Sequence, residues 1–138
     1  MDQRVSFVTL VVADVERSRA FYVDALGWTE EMFVDGEVLM IKVADKVVLS
    51  LWQREGFEAE VGPLAPGGGF PPVALAHNVG TRDEVDQVVA EAVAAGGTLH
   101  RSPEARDWGG YTGYVLDPDG FPWEIAFNPG DVGQVVLP

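Results

Sequence analysis

One carboxylate lies inside a short apolar segment near the end of the chain, in the stretch DPDGFPWEIAFNP at residues 117–129. Glu124 stands between a tryptophan and an isoleucine, residue types that usually pack a protein core. A carboxylate there can act as a general acid or base, or it can bind a polar group of a ligand. The structural alternative is a buried glutamate satisfied by a neighbour such as Tyr111, Tyr114 or an arginine. The sequence leaves both interpretations open.

Strand alternation separates the two faces of this segment. Glu124 and Ala126 fall on one face, and the aromatic and aliphatic residues around them fall on the other. The preceding DPDG at 117–120 offers two further carboxylates, but its composition is typical of a tight turn. We therefore expect Glu124, and not the carboxylates of the turn, to be the side chain of this segment that takes part in catalysis or binding.

Aromatic residues accompany the segments that border the predicted loops. They are Trp52, Phe57, Phe70, Trp108, Tyr111 and Tyr114. Flat aromatic walls with few polar groups suit a planar molecule that is apolar or cationic. Trp52 and Trp108 are the strongest candidates because each lies beside a glycine-rich or polar loop, where core packing gives less reason for tryptophan. Core packing is the alternative for the others.

The charge of the chain limits its partners. Its 138 residues include 22 acidic and 9 basic side chains, which gives a net charge of -13. Such a surface repels phosphate backbones, and no cluster of basic residues offsets it locally. We therefore expect neither nucleic acid nor an anionic membrane as a partner.

Cysteine content and the amino-terminal residues indicate the compartment. The chain has no cysteine, which excludes disulfides and thiolate metal sites. The first 18 residues, MDQRVSFVTLVVADVERS, lack a basic segment followed by an uninterrupted apolar one. These features predict a soluble cytoplasmic protein.

The first half of the chain predicts a strand, a helix and three strands. A strand at 5–12 is apolar on both faces, so we expect both faces to be covered. Asp14 is placed to cap a helix that ends at Gly27. Asp35-Gly36 predicts a two-residue type I′ hairpin turn, and a further strand follows at 47–52.

The second half predicts the same elements after a segment rich in glycine and proline. Residues 53–72 predict a linker or mobile loop without regular structure, with prolines at 63, 66, 71 and 72 and glycines at 67–69. A strand at 73–79 precedes a capping box of Thr81 and Glu84. The helix ends at Gly96-Gly97. Three strands are expected at about 98–102, 111–116 and 121–127.

The two halves therefore form an internal duplication, with Val12 and Val79 at equivalent positions 67 residues apart. The stretches VTLVVADVERSRAFYVDALGW and GYVLDPDGFPWEIAFNP resemble the vicinal oxygen chelate superfamily, which includes glyoxalase I, extradiol dioxygenases and bleomycin-resistance proteins. The resemblance covers nearly the whole chain. It implies one α+β domain of two βαβββ modules, about 4–52 and 73–129, forming a cup-shaped mixed sheet with helices outside, commonly completed as a homodimer.

In metal enzymes that this chain resembles, each module contributes one ligand near the start of its first strand and one from its last strand. The equivalent positions in the first module carry Phe7, which cannot bind a metal, and Ser50, a poor ligand. In the second module the last-strand position is Glu124. The first-strand position is His77 if the halves align without gaps. It is Ala74 if the turn before the helix is two residues longer, which is the alignment we favour and which turns His77 to the opposite face.

These positions predict a small-molecule-binding protein of the glyoxalase/bleomycin-resistance type, with no catalytic metal or other cofactor and an aromatic or apolar ligand. Glu124 is its polar anchor and its candidate catalytic residue. The expected ligand-binding residues are Phe7, Thr9, Ser50, Trp52, Trp108, Tyr111, Tyr114 and Glu124. The alternative is a metal-dependent lyase, isomerase or dioxygenase that holds a divalent ion through Glu124 and His77.

Overall fold

The order of the elements repeats once along the chain. The computed structural model describes residues 1–65, 67, 69–71 and 73–138. These residues form two units, Met1–Gly68 and Gly69–Pro138, each with its own mixed four-stranded sheet. The predicted α+β class and the predicted duplication are confirmed. Pro66, Gly68 and Pro72, part of the predicted linker, lie outside the described residues.

The first unit builds its sheet in the order β1-β4-β3-β2. Its strands are β1 (Phe7–Val12), β2 (Glu30–Val34), β3 (Val38–Ala44) and β4 (Val47–Gln53), and its helices are α1 (Val15–Arg19), which continues as a π-helical segment (Ala20–Ala25), and α2 (Arg54–Glu60). Strand β1 runs parallel to β4, and the other pairs are antiparallel. Asp14 caps α1 as predicted, since its carboxylate accepts a hydrogen bond of 3.0 Å from the backbone N–H of Arg17.

One face of β1 belongs to the core of the first unit. Leu10 and Val12 are buried, as are Val15 of α1 and Tyr22 of the π-helical segment. The opposite face is not covered in the same way, because Phe7 is 54% exposed and Thr9 is also exposed. The prediction that both faces of β1 are covered is therefore wrong at its amino-terminal end.

The turn between β2 and β3 differs from the predicted type. Gly36 has a φ of +67°, but no described residue other than glycine has a positive φ, so Asp35 does not. A type I′ turn needs positive φ at both central positions, and this requirement excludes it here. The strands pair through Val34 and Val38, which leaves a three-residue connection.

The segment after β4 contains helix α2, so the prediction of a segment without regular structure is wrong for residues 54–60. Its sequence, REGFEAE, is rich in helix-forming residues, and the prolines begin only after it. The composition of the whole segment concealed this short helix. Phe57 of α2 packs edge-on against Trp52, with ring centroids 5.7 Å apart.

The second unit repeats the sheet in the order β5-β8-β7-β6. Its elements are β5 (Leu75–Val79), α3 (Arg82–Ala94), β6 (Thr98–Ala105), β7 (Tyr111–Leu116), β8 (Pro122–Phe127) and α4 (Asp131–Gln134). Strands β5 and β8 are parallel, and β6, β7 and β8 are antiparallel. The Thr81–Glu84 capping box at the start of α3 is confirmed, with both reciprocal hydrogen bonds present.

Helix α3 covers one face of this second sheet. Its buried residues Val85 and Val89 form a cluster with Val115 of β7 and Ile125 of β8, and Trp123 packs at the edge of the cluster. The other face of the same sheet is therefore left to carry Glu124 and Tyr114. Within the described part of the chain, no helix is long and apolar enough to cross a membrane.

Candidate functional site

The strand registers place Glu124 and Ser50 at equivalent positions in the two sheets. In the first unit Thr9 pairs with Ser50, and in the second unit Ala76 pairs with Glu124. Thr9 and Ala76 are 67 positions apart, the same offset as Val12 and Val79. The residue two places before Ala76, the counterpart of Phe7, is an alanine at position 74. The hydrogen-bonded register therefore agrees with the alignment that assigns Ala74 to the first-strand position.

His77 and Glu124 lie on opposite faces of the second sheet. Glu124 is paired with Ala76, whereas His77 is paired with Ile125, whose side chain belongs to the cluster under α3. Successive residues of a strand point to opposite faces, so the two side chains cannot bind one ion. Among the residues that the structure describes, no group of three or more potential metal ligands is present. These donors do not fit a divalent metal.

Glu124 is paired instead with Tyr114 of the neighbouring strand. The Tyr114 hydroxyl donates a hydrogen bond of 2.8 Å to Oε1 of Glu124. The two residues are directly opposite each other in the β7–β8 register, and both are half-buried. The proton of the phenol is therefore directed at the carboxylate, which leaves the phenolic oxygen able to accept a further hydrogen bond.

The surroundings of Tyr114 hold its hydroxyl in the protonated form. Burial raises the pKa of Tyr114 above its ordinary value of 10.0, and the hydrogen bond to Glu124 and the charge of that carboxylate raise it further. Arg106 and Arg101 act in the opposite direction. Because the net shift is upward, Tyr114 is a hydrogen-bonding group near neutral pH and not a phenolate.

An open cavity of about 420 Å³ lies on the side of the second sheet that carries Tyr114. This volume falls within the range of small-molecule sites. Its walls combine aromatic and aliphatic groups with the polar side chains of a histidine, an arginine and a tyrosine. They are formed by Phe70, Pro71, Val73, Ala74, His100, Arg101, Tyr114 and Pro122. Phe70 packs edge-on against His100, with ring centroids 4.8 Å apart.

A register shift in β6 brings two consecutive residues to the cavity. Leu99 pairs with Val115, but Arg101 pairs with Tyr114, so His100 is an extra residue between the two pairs. In a regular strand, His100 and Arg101 would face opposite sides of the sheet. The shift allows both to line the cavity, in the way that bulges redirect side chains near binding sites.

Of the eight predicted ligand-binding residues, the second unit brings two together, Tyr114 and Glu124. Tyr111 lies on the α3 face of the sheet, where its hydroxyl donates a 2.9 Å hydrogen bond to Asp86 of α3. Tyr111 and Tyr114 therefore lie on opposite faces of the sheet, and the part of Tyr111 in ligand binding stays a prediction. Trp108 lies in the β6–β7 connection, 56% exposed, with its ring against Gly110.

The other four predicted residues belong to the first unit. Phe7, Thr9, Ser50 and Trp52 share the face of its sheet opposite α1, as the β1–β4 pairing shows. Ser50 is buried, and Trp52 is half-buried against Phe57. Their part in ligand binding stays a prediction.

Sequence reasoning missed most of the cavity wall, above all His100 and Arg101. His100 matches none of the metal-ligand positions of the family that the chain resembles. Ordinary strand alternation turns His100 and Arg101 to opposite faces, so it predicts that only one of them reaches the cavity. Phe70 was noted as an aromatic residue, but its contact with His100 joins residues 30 positions apart along the chain. Strand β6 reads TLHRSPEA, so polar residues fill most of its positions and the alternation of residue types gives no signal that locates the bulge.

Alkaline titration of the tyrosines tests the environment of Tyr114. The pKa of Tyr114 and that of Tyr111 are both raised above 10.0, the latter chiefly by its hydrogen bond to Asp86. A group whose pKa is higher in the folded than in the unfolded state contributes its full stabilisation at pH values below its ordinary pKa. This stabilisation is lost as the pH rises through the pKa of the folded state. We expect the tyrosinate absorbance of the folded protein to show one late-titrating group fewer in Tyr114→Phe than in the wild type. An unchanged late phase in that variant would contradict this assignment.

Comparison with known proteins gives a consistent picture. The family model described as Glyoxalase/Bleomycin resistance protein/Dioxygenase superfamily matches residues 4–125. A glyoxalase-related enzyme from Fulvimarina pelagi is 40% identical, with a TM-score of 0.81 over 92% of this chain and 89% of that one. A glyoxalase/bleomycin resistance protein/dioxygenase family enzyme from Burkholderia phytofirmans PsJN is 25% identical, with a TM-score of 0.75 over 88% and 96% of the two chains. A lactoylglutathione lyase from Agrobacterium tumefaciens, 19% identical, shares the fold, with a TM-score of 0.70 over 93% and 96%. No functionally curated protein matches the chain.

Proposed function

Because the chain belongs to the glyoxalase/bleomycin resistance protein/dioxygenase superfamily, we propose that it binds a small aromatic or apolar molecule in the cavity of its second unit, without a catalytic metal. The observation that carries this proposal is an open cavity of about 420 Å³ with Phe70, His100 and Tyr114 in its wall. Aromatic and aliphatic walls with a few directed polar groups are typical of small-molecule sites.

The Tyr114–Glu124 pair supplies the polar part of the site. The carboxylate fixes the phenol by accepting its hydrogen at 2.8 Å, so the oxygen of Tyr114 presents a lone pair to a ligand in the cavity. Glu124 thus acts through Tyr114 as a positioning residue. A ligand with a hydroxyl or N–H group beside its ring would satisfy that oxygen while its apolar part fills the cavity.

Metal independence is supported by the residues at the expected ligand positions. Phe7 and Ala74 have no donor atom in their side chains, and Ser50 is a poor ligand. The alternative that pairs Glu124 with His77 on one ion is not favoured, because the two side chains face opposite sides of the sheet. A metal-free enzyme that uses Glu124 as a base is the second candidate. The description of the Fulvimarina pelagi protein as a glyoxalase-related enzyme supports an enzymatic role in general.

Binding of a neutral aromatic probe to chelator-treated protein tests the leading proposal. N-phenyl-1-naphthylamine fluoresces in apolar surroundings and carries an N–H group. We expect saturable binding with one site per chain, unchanged by chelation or by added zinc or manganese. Absence of saturable binding would contradict the proposal. So would stoichiometric metal in the purified protein that is lost in Glu124→Ala.

Assembly and location are part of the same proposal. The resemblance to the superfamily supports a homodimer, and the absence of cysteine is compatible with a reducing cytoplasm. Both remain predictions.

A further inference from the structure

Arg101 places a positive charge on the wall of the cavity and has no partner among the described residues. Its side chain makes no hydrogen bond or ion pair with any of them, and the neighbouring wall residues carry no carboxylate. A guanidinium offers five donors in a fixed planar fork that matches a carboxylate or a similar anion. This fork is available to a molecule in the cavity.

Three other arginines of the chain have partners. Arg19 binds Glu30 at 2.7 Å, Arg106 binds Glu104 at 2.6 Å, and Arg82 lies over the ring of Tyr111. In a chain of net charge -13, carboxylates greatly outnumber cations. An arginine that lines a cavity and is left without a described carboxylate therefore makes the cavity locally favourable to a negative group that the rest of the surface repels.

The carboxylate that lies in the same cross-strand row as Arg101, that of Glu124, is bound by Tyr114. Arg101 pairs with Tyr114 and Tyr114 pairs with Glu124, so the three form a row across β6, β7 and β8 with the tyrosine in the middle. Glu124 accepts the hydrogen of Tyr114, and it is not among the residues that line the cavity. The cavity therefore presents the cation of this row and not its anion.

We propose that the ligand is a small aromatic anion, such as an aromatic carboxylate or sulfonate. Its negative group binds the guanidinium of Arg101, and its ring packs against Phe70 and Tyr114. This inference rests on the proposed function of the same cavity. The register shift that brings Arg101 to this face thereby sets the charge preference of the site.

Two fluorescent probes that differ by one charged group test the inference. 1-Anilinonaphthalene-8-sulfonate has the same rings and N–H group as N-phenyl-1-naphthylamine and adds a sulfonate. Both are titrated against the wild type, Arg101→Gln, Arg101→Lys and Arg82→Gln. The last variant removes the same charge from α3, on the opposite side of the same sheet, and controls for the net charge.

We expect the wild type to bind the sulfonate probe more tightly than the neutral probe. Arg101→Gln should lower affinity for the sulfonate about five- to tenfold, as loss of a charge-assisted hydrogen bond requires. Arg101→Lys should recover part of this loss, and Arg82→Gln should bind as the wild type does. Affinity of the Arg101→Gln protein for the neutral probe should not change.

Three results would overturn the inference. The first is that the wild type binds both probes with equal affinity. The second is that Arg101→Gln and Arg82→Gln lower the affinity for the sulfonate probe equally. Either result would show that Arg101 does not hold the anion. In both cases the proposed function stands if the wild type still binds the neutral probe saturably. If neither probe binds the wild type saturably, the inference and the proposed function both fail.

Discussion

Ala74→Trp is expected to lower the affinity for a neutral aromatic probe by at least about tenfold, equivalent to about 1.4 kcal/mol. Ala74 lies on the cavity wall and is exposed, so an indole added there occupies space in the cavity without entering the core. A ligand would have to displace that ring or bind in a smaller volume. Fluorescence titration of N-phenyl-1-naphthylamine measures the change, and the denaturation midpoint shows whether the variant remains folded.

Ala90→Trp provides the matched control for this experiment. Ala90 is exposed on α3, which covers the other face of the same sheet. The same side chain added there should leave probe binding unchanged. Wild-type affinity in Ala74→Trp, or an equal loss in both variants, would place the binding site elsewhere.

The second large effect is expected from Tyr114→Phe, which should lower the free energy of unfolding by about 1–2 kcal/mol. The change removes a 2.8 Å hydrogen bond between two half-buried groups and leaves a carboxylate without its donor. Because Glu124 is not fully buried, water can partly replace the phenol as its hydrogen-bond donor. The loss of unfolding free energy is therefore smaller than for a fully buried carboxylate left unpaired. Urea denaturation measures the change, with an unchanged slope expected.

Two further variants separate this hydrogen bond from the general effect of losing a hydroxyl. Tyr111→Phe removes a 2.9 Å hydrogen bond to Asp86 in exposed surroundings. It should lower the free energy of unfolding by less than Tyr114→Phe does. Tyr114→Phe combined with Glu124→Leu should cost less than the sum of the two single changes, because neither group is then left unpaired. Additive effects in this double-mutant cycle would show that the two side chains are not coupled.

The elements of the fold were predictable because local signals agree with the tertiary structure. Asp14 and the Thr81–Glu84 pair mark helix starts through their own hydrogen bonds, which need no distant contact. The duplication followed from the repeated order of patterns, and the β1–β4 and β5–β8 registers agree with the predicted offset. Helix α2 was missed because the prolines and glycines that follow it dominated the composition of the segment.

The site was predictable only in part, since it depends on registers that local patterns do not determine. Glu124 and its face followed from alternation, and Tyr114 was one of the neighbours named for its carboxylate. Tyr111 lies on the other face because three positions separate it from Tyr114, an odd number in a strand of period two. Arg101 reaches the cavity through a register shift in β6, which alternation cannot predict.

The most direct measurement of cavity binding without metal is an amide NMR titration of chelator-treated protein with N-phenyl-1-naphthylamine. We predict that the largest shifts fall on residues of the cavity wall, including Phe70, Ala74, His100 and Tyr114, and saturate at one probe per chain. Amides of α3 on the opposite side of the sheet should shift much less. Shifts that concentrate outside the cavity, or that appear only after a divalent metal is restored, would contradict the account.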